Sequence, residues 1–145
     1  TAELCGALAG KIKAEKWVFQ SVISPAMGGI LVGHEVARHL GRRHIFAEKE
    51  GGKLQIRRFE VKPGEKFLVA EDVITTGSAV REVISLVREA GGVVAGVACL
   101  VDRSTQKPEL GAPLCSLFGM PVETFPATEI PADLINIPAV KPGSR

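Results

Sequence analysis

Residues Leu68-Val69-Ala70-Glu71-Asp72-Val73-Ile74-Thr75-Thr76-Gly77-Ser78-Ala79 decide how this chain is read. An apolar run, Phe67–Ala70, is bounded by charges, as expected of a central strand buried on both faces of a parallel sheet. It delivers two adjacent carboxylates, Glu71 and Asp72. A loop over Val73–Ser78 follows, rich in hydroxyls and holding one glycine. Then comes an amphipathic helix, Ala79–Ala90, whose stripe is Val80, Val83, Ile84 and Val87. The start of a helix offers unpaired N–H groups and the positive end of the peptide dipole, which together suit a phosphate. Thr75, Thr76 and Ser78 add hydroxyl donors, and Gly77 lets the backbone approach an anion. Two carboxylates at a strand end suit ribose hydroxyls, or a magnesium ion that keeps its waters. A loop with one capping hydroxyl needs none of the rest. The chain has no GxxxxGK[ST] and no GxGxxG, so neither common nucleotide-binding loop is present.

Working outward, Ala2–Lys16 places Leu4, Leu8 and Ile12 on one helical face, and Val18–Ser24 reads as a buried strand. The break Ser24-Pro25-Ala26-Met27-Gly28-Gly29 precedes a second helix, Ile30–Leu40, with Leu31, Val32, Val36, Ala37 and Leu40 apolar and Gly41 as its stop. His44–Glu48 is a short strand, Gly51-Gly52 a loop, and Lys53–Phe59 an extended arm or hairpin strand. Val93–Val101 is a further strand closed by Asp102-Arg103, and short apolar pieces lie at Leu114–Phe118 and Val122–Phe125. Strands alternating with helices specify an α/β fold, a central mostly parallel sheet flanked by helices. Ligands of such sheets bind beyond the carboxyl ends of the strands. That rule selects Ser24–Gly29, Glu48–Gly52, Glu71–Ser78 and Asp102–Arg103. The chain is read as one domain over 1–145, with 126–145 a Pro-rich tail that wraps the surface.

Composition narrows the classes. Of 145 residues, 46% are hydrophobic and 23% charged, which excludes a disordered chain. The net charge of +2 is too balanced for a general nucleic-acid binder. No apolar stretch approaches the length of a membrane span, and no signal peptide is visible. Cys5, Cys99 and Cys115 lack any ligand or disulfide spacing and read as buried hydrophobes in a reducing compartment. His34, His39 and His44 read as surface or packing residues.

The stretch from Val69 to Ala79 resembles the phosphoribosyl-pyrophosphate motif of the type I phosphoribosyltransferases, a Rossmann-like fold. The flanking pieces resemble the orotate branch of that family. Ser24–Ile30 looks like its pyrophosphate loop, Phe46–Glu50 like its strand-end lysine, and Leu100–Arg103 like the strand whose arginine holds the orotate carboxylate. The final Ile137–Arg145 is similar to tails of some members. The resemblance implies transfer of ribose 5-phosphate from phosphoribosyl pyrophosphate to orotate, giving orotidine 5′-monophosphate and pyrophosphate in pyrimidine synthesis. It implies magnesium as cofactor, a cytoplasmic homodimer, and no nucleic-acid or membrane partner. It assigns Thr75, Thr76, Gly77, Ser78 and Ala79 to the 5′-phosphate, counts Val73 and Ile74 among the substrate-binding residues, and gives Glu71 and Asp72 to the ribose. Lys49 and Met27, Gly28 and Gly29 fall to pyrophosphate and Arg103 to orotate. Members carry a mobile loop with an arginine and lysine pair, where this chain has Glu48-Lys49; Lys53 and Arg57 are expected to substitute. Members also begin with a hood segment over the base, whereas this chain opens at the helix that follows it. Three alternatives remain: a purine or other-base transferase, a non-catalytic sensor of phosphoribosyl pyrophosphate, and an interaction or structural protein that has lost ligand binding.

Overall fold

The computed structural model describes residues 1–123, 125, 126, 128–138 and 140. Three helices, α1 (Ala2–Ala14), α2 (Gly28–Leu40) and α3 (Ser78–Glu89), surround six strands. These are β1 (Ser21–Pro25), β2 (Arg43–Glu50), β3 (Lys53–Gln55), β4 (Lys66–Ile74), β5 (Val93–Asp102) and β6 (Leu114–Gly119). They form one sheet in the order β3-β2-β1-β4-β5-β6. All neighbours are parallel except β2 and β3, an antiparallel hairpin with Glu50 opposite Lys53. Its two-residue turn puts Gly51 at φ 57° and Gly52 at φ 84°, backbone that glycine adopts without a Cβ penalty.

Apolar residues on the two sheet faces make two cores. Phe67, Val69, Val97 and Cys99 pack with the α3 stripe and with Leu54 and Leu110. Leu68, Ala70 and Ala98 pack with Cys5, Leu8 and Ile12 of α1 and Val32 and Val36 of α2. The expected α/β sandwich is therefore the observed one. Its crossovers run from β1 through α2 to β2 on one side, and from β4 through α3 to β5 on the other. The chain reverses its winding between β1 and β4, the switch point at which doubly wound sheets hold ligands.

Several expected details change. Strand β4 runs on through Ile74, so the acidic pair and Val73 lie within a strand and the loop is only Thr75–Gly77. Continued pairing with β5 explains this: Val73 faces Val101 and Ile74 faces Asp102. Helix α2 begins at Gly28, inside the stretch read as a break. Leu4 and Leu31 are exposed, and Cys5 and Ala9 take the core side of α1. Residues 18–20 precede β1. The chain leaves α1 through Lys16 at φ 57° and seats the Trp17 ring on the glycine of β5, Gly96, where an added Cβ would lie 2.5 Å from the ring. The piece 122–125 adds no strand among the described residues, and of the tail motif Ala139 and Lys141–Arg145 lie outside them. The three cysteines are free and buried, as expected.

Candidate active site at the β1–β4 switch point

Two helix starts converge on the acidic pair. Helix α2 begins at Gly28, immediately after β1. It comes so close to β4 that a Cβ on Gly28 would run into the Asp72 carboxylate, and one on Gly29 would lie 2.9 Å from Glu71 Oε1. The glycine pair therefore admits the two carboxylates as well as exposing amides. Further along the helix, Gly33 sits on β1 and β2 in the same way: its Cβ would lie 2.8 Å from Ser24 Oγ and 2.5 Å from His44 Nε2. Those two atoms are themselves 2.8 Å apart. His44 is thus a packing residue, and burial together with the neighbouring His34 lowers its pKa to about 4.

Glu71 is buried, and its Oε1 accepts the Asp72 N–H at 3.1 Å. Burial first, then the adjoining Asp72 side chain, pushes its pKa up to about 8. Asp72 is half-buried and accepts the Val73 N–H at 2.7 Å. The pair thus offers one carboxyl that holds its proton near neutrality and one more open to solvent.

The loop beyond β4 wraps a cavity of about 250 Å³ lined by Glu71 and residues 73–80. Gly77 caps α3 at φ 75°, with no side-chain cap and no acidic residue in the first turn. The Ser78 N–H donates weakly to Thr76 Oγ1 at 3.4 Å, the Ala79 and Val80 amides have no partner among the described residues, and Thr76 Oγ1 and Ser78 Oγ, 2.9 Å apart, stand beside them.

A larger cavity, about 620 Å³, opens between this loop and the segment after β5, with Thr75, Thr76, Arg81, Arg103 and Lys107 in its wall. Arg103 lines this cavity, and its Nε is buried with no hydrogen-bond partner among the described residues. Asp102 accepts the Ser104 N–H at 3.0 Å and forms no ion pair with Arg103 among the described residues. Lys49 and Met27 share a third cavity, about 530 Å³, with Phe46, Glu48 and Arg58. Lys53 stands beside the hairpin turn. Arg57 pairs with Glu50 at 3.0 Å, and Arg58 with Glu48 at 2.8 Å. Neither Lys53 nor Arg57 lines the three cavities just described.

The structure thus gathers Met27, Gly28, Gly29, Glu71, Asp72 and residues 73–79 along one edge, with Arg103 and Lys49 on either flank. Two features had gone unnoticed in the sequence: Arg81, which lies off the apolar stripe of its helix, and the polar segment Ser104–Glu109. Position directly after a strand end was the available signal for the latter.

No group of three or more His, Cys, Asp or Glu among the described residues could hold a metal alone. Magnesium brought in on a diphosphate needs only one or two carboxylates beyond its waters and phosphate oxygens. The half-buried Asp72 beside Glu71 fits that smaller demand.

A doubly wound sheet with two helix starts around a carboxylate pair at its switch point defines a protein that holds a small ligand beyond its strand ends. In agreement, residues 1–127 match the phosphoribosyl transferase domain, and the chain belongs to that family. Within it the chain is 52% identical to the orotate phosphoribosyltransferase of Desulforamulus reducens, over 100% of this chain and 75% of that protein. It is 46% identical to the orotate phosphoribosyltransferase of Methylobacterium sp., again over 100% and 75%. It therefore spans about three quarters of the length of these relatives. Solved structures share the fold. An adenine phosphoribosyltransferase from Thermoanaerobacter pseudethanolicus superposes with a TM-score of 0.71 at 22% identity, over 81% of this chain and 79% of that one. An orotate phosphoribosyltransferase from Aeropyrum pernix gives 0.63 at 24%, over 81% and 68%.

Proposed function

We propose that the chain is an orotate phosphoribosyltransferase, transferring ribose 5-phosphate from phosphoribosyl pyrophosphate to orotate and releasing pyrophosphate. One observation carries the reading. The start of α2 and the start of α3 flank Glu71 and Asp72, a spacing suited to a sugar with an anion at each end. The relatives' names supply the base, and Arg103, with a buried donor unfilled, suits its carboxylate.

Thr75, Thr76, Gly77, Ser78 and Ala79 cradle the 5′-phosphate, with Val73 and Ile74 fixing the loop from β4. Glu71 and Asp72 accept from the ribose hydroxyls. The bond from the anomeric carbon to pyrophosphate breaks while the bond to an orotate ring nitrogen forms, that nitrogen's proton leaves with pyrophosphate, and positive charge builds on the ribose. Asp72 is placed to steady that charge, while Glu71, which keeps its proton to about pH 8, holds the ribose by hydrogen bonds. The amides at Gly28 and Gly29, with Lys49, take up the negative charge of the leaving group. Most of the work is positioning, because the chemistry is a direct displacement between bound partners. Magnesium, held through Asp72 and the diphosphate, would neutralise part of that charge. Lys53 and Arg57 join the leaving group if the hairpin moves and Arg57 exchanges Glu50 for phosphate. A homodimer acting in the cytoplasm completes the reading.

The test is a side-by-side assay of orotate, adenine, hypoxanthine and uracil with phosphoribosyl pyrophosphate and magnesium. Orotate alone is consumed, and Arg103→Ala raises the KM for orotate at least about tenfold, the size of a lost charged hydrogen bond, with the other KM nearly unchanged. Turnover of a purine, or tight binding of phosphoribosyl pyrophosphate without turnover, would refute the reading.

A further inference from the structure

The arginine that the sequence did not flag stands where a helix least favours a cation. Arg81 is the first residue of α3 whose amide bonds back to the cap, to Gly77 O at 2.9 Å. Its side chain folds toward the helix start, as helical side chains do. There Nη1 donates to Thr76 O at 2.9 Å and Nη2 to Ser78 Oγ at 3.4 Å. The positive end of the helix dipole opposes a guanidinium in that place. No carboxylate pairs with it among the described residues. Arg88, on the same helix, sits in the last turn, where the dipole favours a cation, and donates to Gly111 O at 2.9 Å. Arg88 needs no further partner to account for it. Arg81 brings an uncompensated charge to a helix start where the Ala79 and Val80 amides have no partner among the described residues, and a bound anion would relieve both.

We propose that Arg81 is a specificity residue for the 5′-phosphate and recognises its dianionic form. The inference rests on the functional reading above and adds to it a residue outside the loop itself. The guanidinium has five N–H donors, of which two are engaged among the described residues. The longer bond, to Ser78 Oγ, is the one readily exchanged for a phosphate oxygen. The Ser78 hydroxyl, an acceptor in that bond, can donate its own hydrogen to the same phosphate. The free amides and hydroxyls of the loop suffice for a singly charged phosphate. The second charge, gained near pH 6 in a phosphate monoester, is the one an added full positive charge discriminates. The other charged groups around the two cavities are Glu71, Arg103, Lys107 and Glu109. They are common to wild type and variant, so the difference between the two isolates Arg81.

The experiment measures binding of orotidine 5′-monophosphate by calorimetry at pH 5 and pH 7.5, with steady-state kinetics, for wild type, Arg81→Ala, Arg81→Lys and Arg88→Ala. Arg81→Ala should weaken binding about ten- to a hundredfold at pH 7.5, and clearly less at pH 5. Its KM for phosphoribosyl pyrophosphate rises while that for orotate stays within about twofold, because the phosphate is deprived of a partner and the base is not. Arg81→Lys keeps the charge and recovers part of the pH dependence, and Arg88→Ala behaves as wild type. Equal weakening at both pH values would mean that Arg81 only orders the loop, and would overturn the proposal. So would unchanged binding in Arg81→Ala while the wild type remains active. A wild type that neither turns over nor binds orotidine 5′-monophosphate overturns the functional reading together with this one.

Discussion

Replacing Gly28 by alanine separates catalysis from stability in a way that follows from one contact. The new methyl would overlap the Asp72 carboxylate, with Cγ only 3.0 Å and Oδ1 3.3 Å from it. Ordinary contact begins near 3.4 Å, and the nearer carboxylate oxygen lies well inside that limit. The carboxylate must therefore retreat by about 1 Å, a misplacement of the size that costs roughly a hundredfold in rate. It also gives up the Val73 N–H it accepts at 2.7 Å. A hundredfold corresponds to about 2.7 kcal/mol of transition-state stabilisation. Folding stability moves little. The atoms displaced are the end of a half-buried side chain, and alanine gains up to about 1 kcal/mol of helix propensity over glycine. The assay is kcat/KM for phosphoribosyl pyrophosphate at saturating orotate, alongside the melting temperature. The expected result is about a hundredfold loss with Tm within a few degrees of wild type. Wild-type kcat/KM in a folded Gly28→Ala protein would refute the claim that this close approach positions Asp72. A fall in activity matched by a collapse of Tm would refute it equally.

Gly33→Ala, one turn further along α2, should behave in the opposite way. Its methyl meets the buried Ser24 and the ring of His44 at 2.5–2.9 Å, groups with little room to move. Overpacking of about 1–3 kcal/mol should lower Tm by roughly 3–10 °C in a chain of this size, and an unchanged Tm would contradict the packing described. Glu71→Gln probes the buried carboxyl through pH. The wild-type group keeps its proton to about pH 8 in the fold but ionises near 4.5 when unfolded. Between those values the unfolded chain releases a proton that the folded chain retains, so wild-type stability falls as pH rises from 4.5 to 8. Denaturant titrations should show Glu71→Gln gaining on the wild type across that window and holding a constant difference below it. A difference independent of pH would count against the raised pKa.

How far the sequence could be read depended on whether a feature was local. The α3 stripe of Val80, Val83, Ile84 and Val87 is buried as its periodicity required. Gly41 ends α2 in the left-handed conformation at φ 62°. The order of carboxylates, hydroxyls and glycine in residues 71–78 sufficed to place a turn between a strand and a helix start, because these are made by neighbours in the chain. Leu4 and Leu31 show the limit. Each is apolar and in phase with a helix, yet each faces solvent, while Cys5 and Ala9 take the core side of α1 and Val32 and Val36 that of α2. The true end of β4 was equally hidden, since its last residues are strand only because β5 lies beside them.

What the sequence alone determined is the alternating α/β order and the family whose motif this chain carries. What the tertiary structure decided is which groups meet. Gly28 and Gly29 proved to be the space into which Asp72 and Glu71 fit. Arg57 is held by Glu50, and Arg81 is turned onto the phosphate loop. Periodicity and capping act over a few residues and are written in the local sequence. Close approach between a helix start and a strand 44 residues away, Gly28 to Asp72, is fixed only when both cores pack and bring the elements to van der Waals distance.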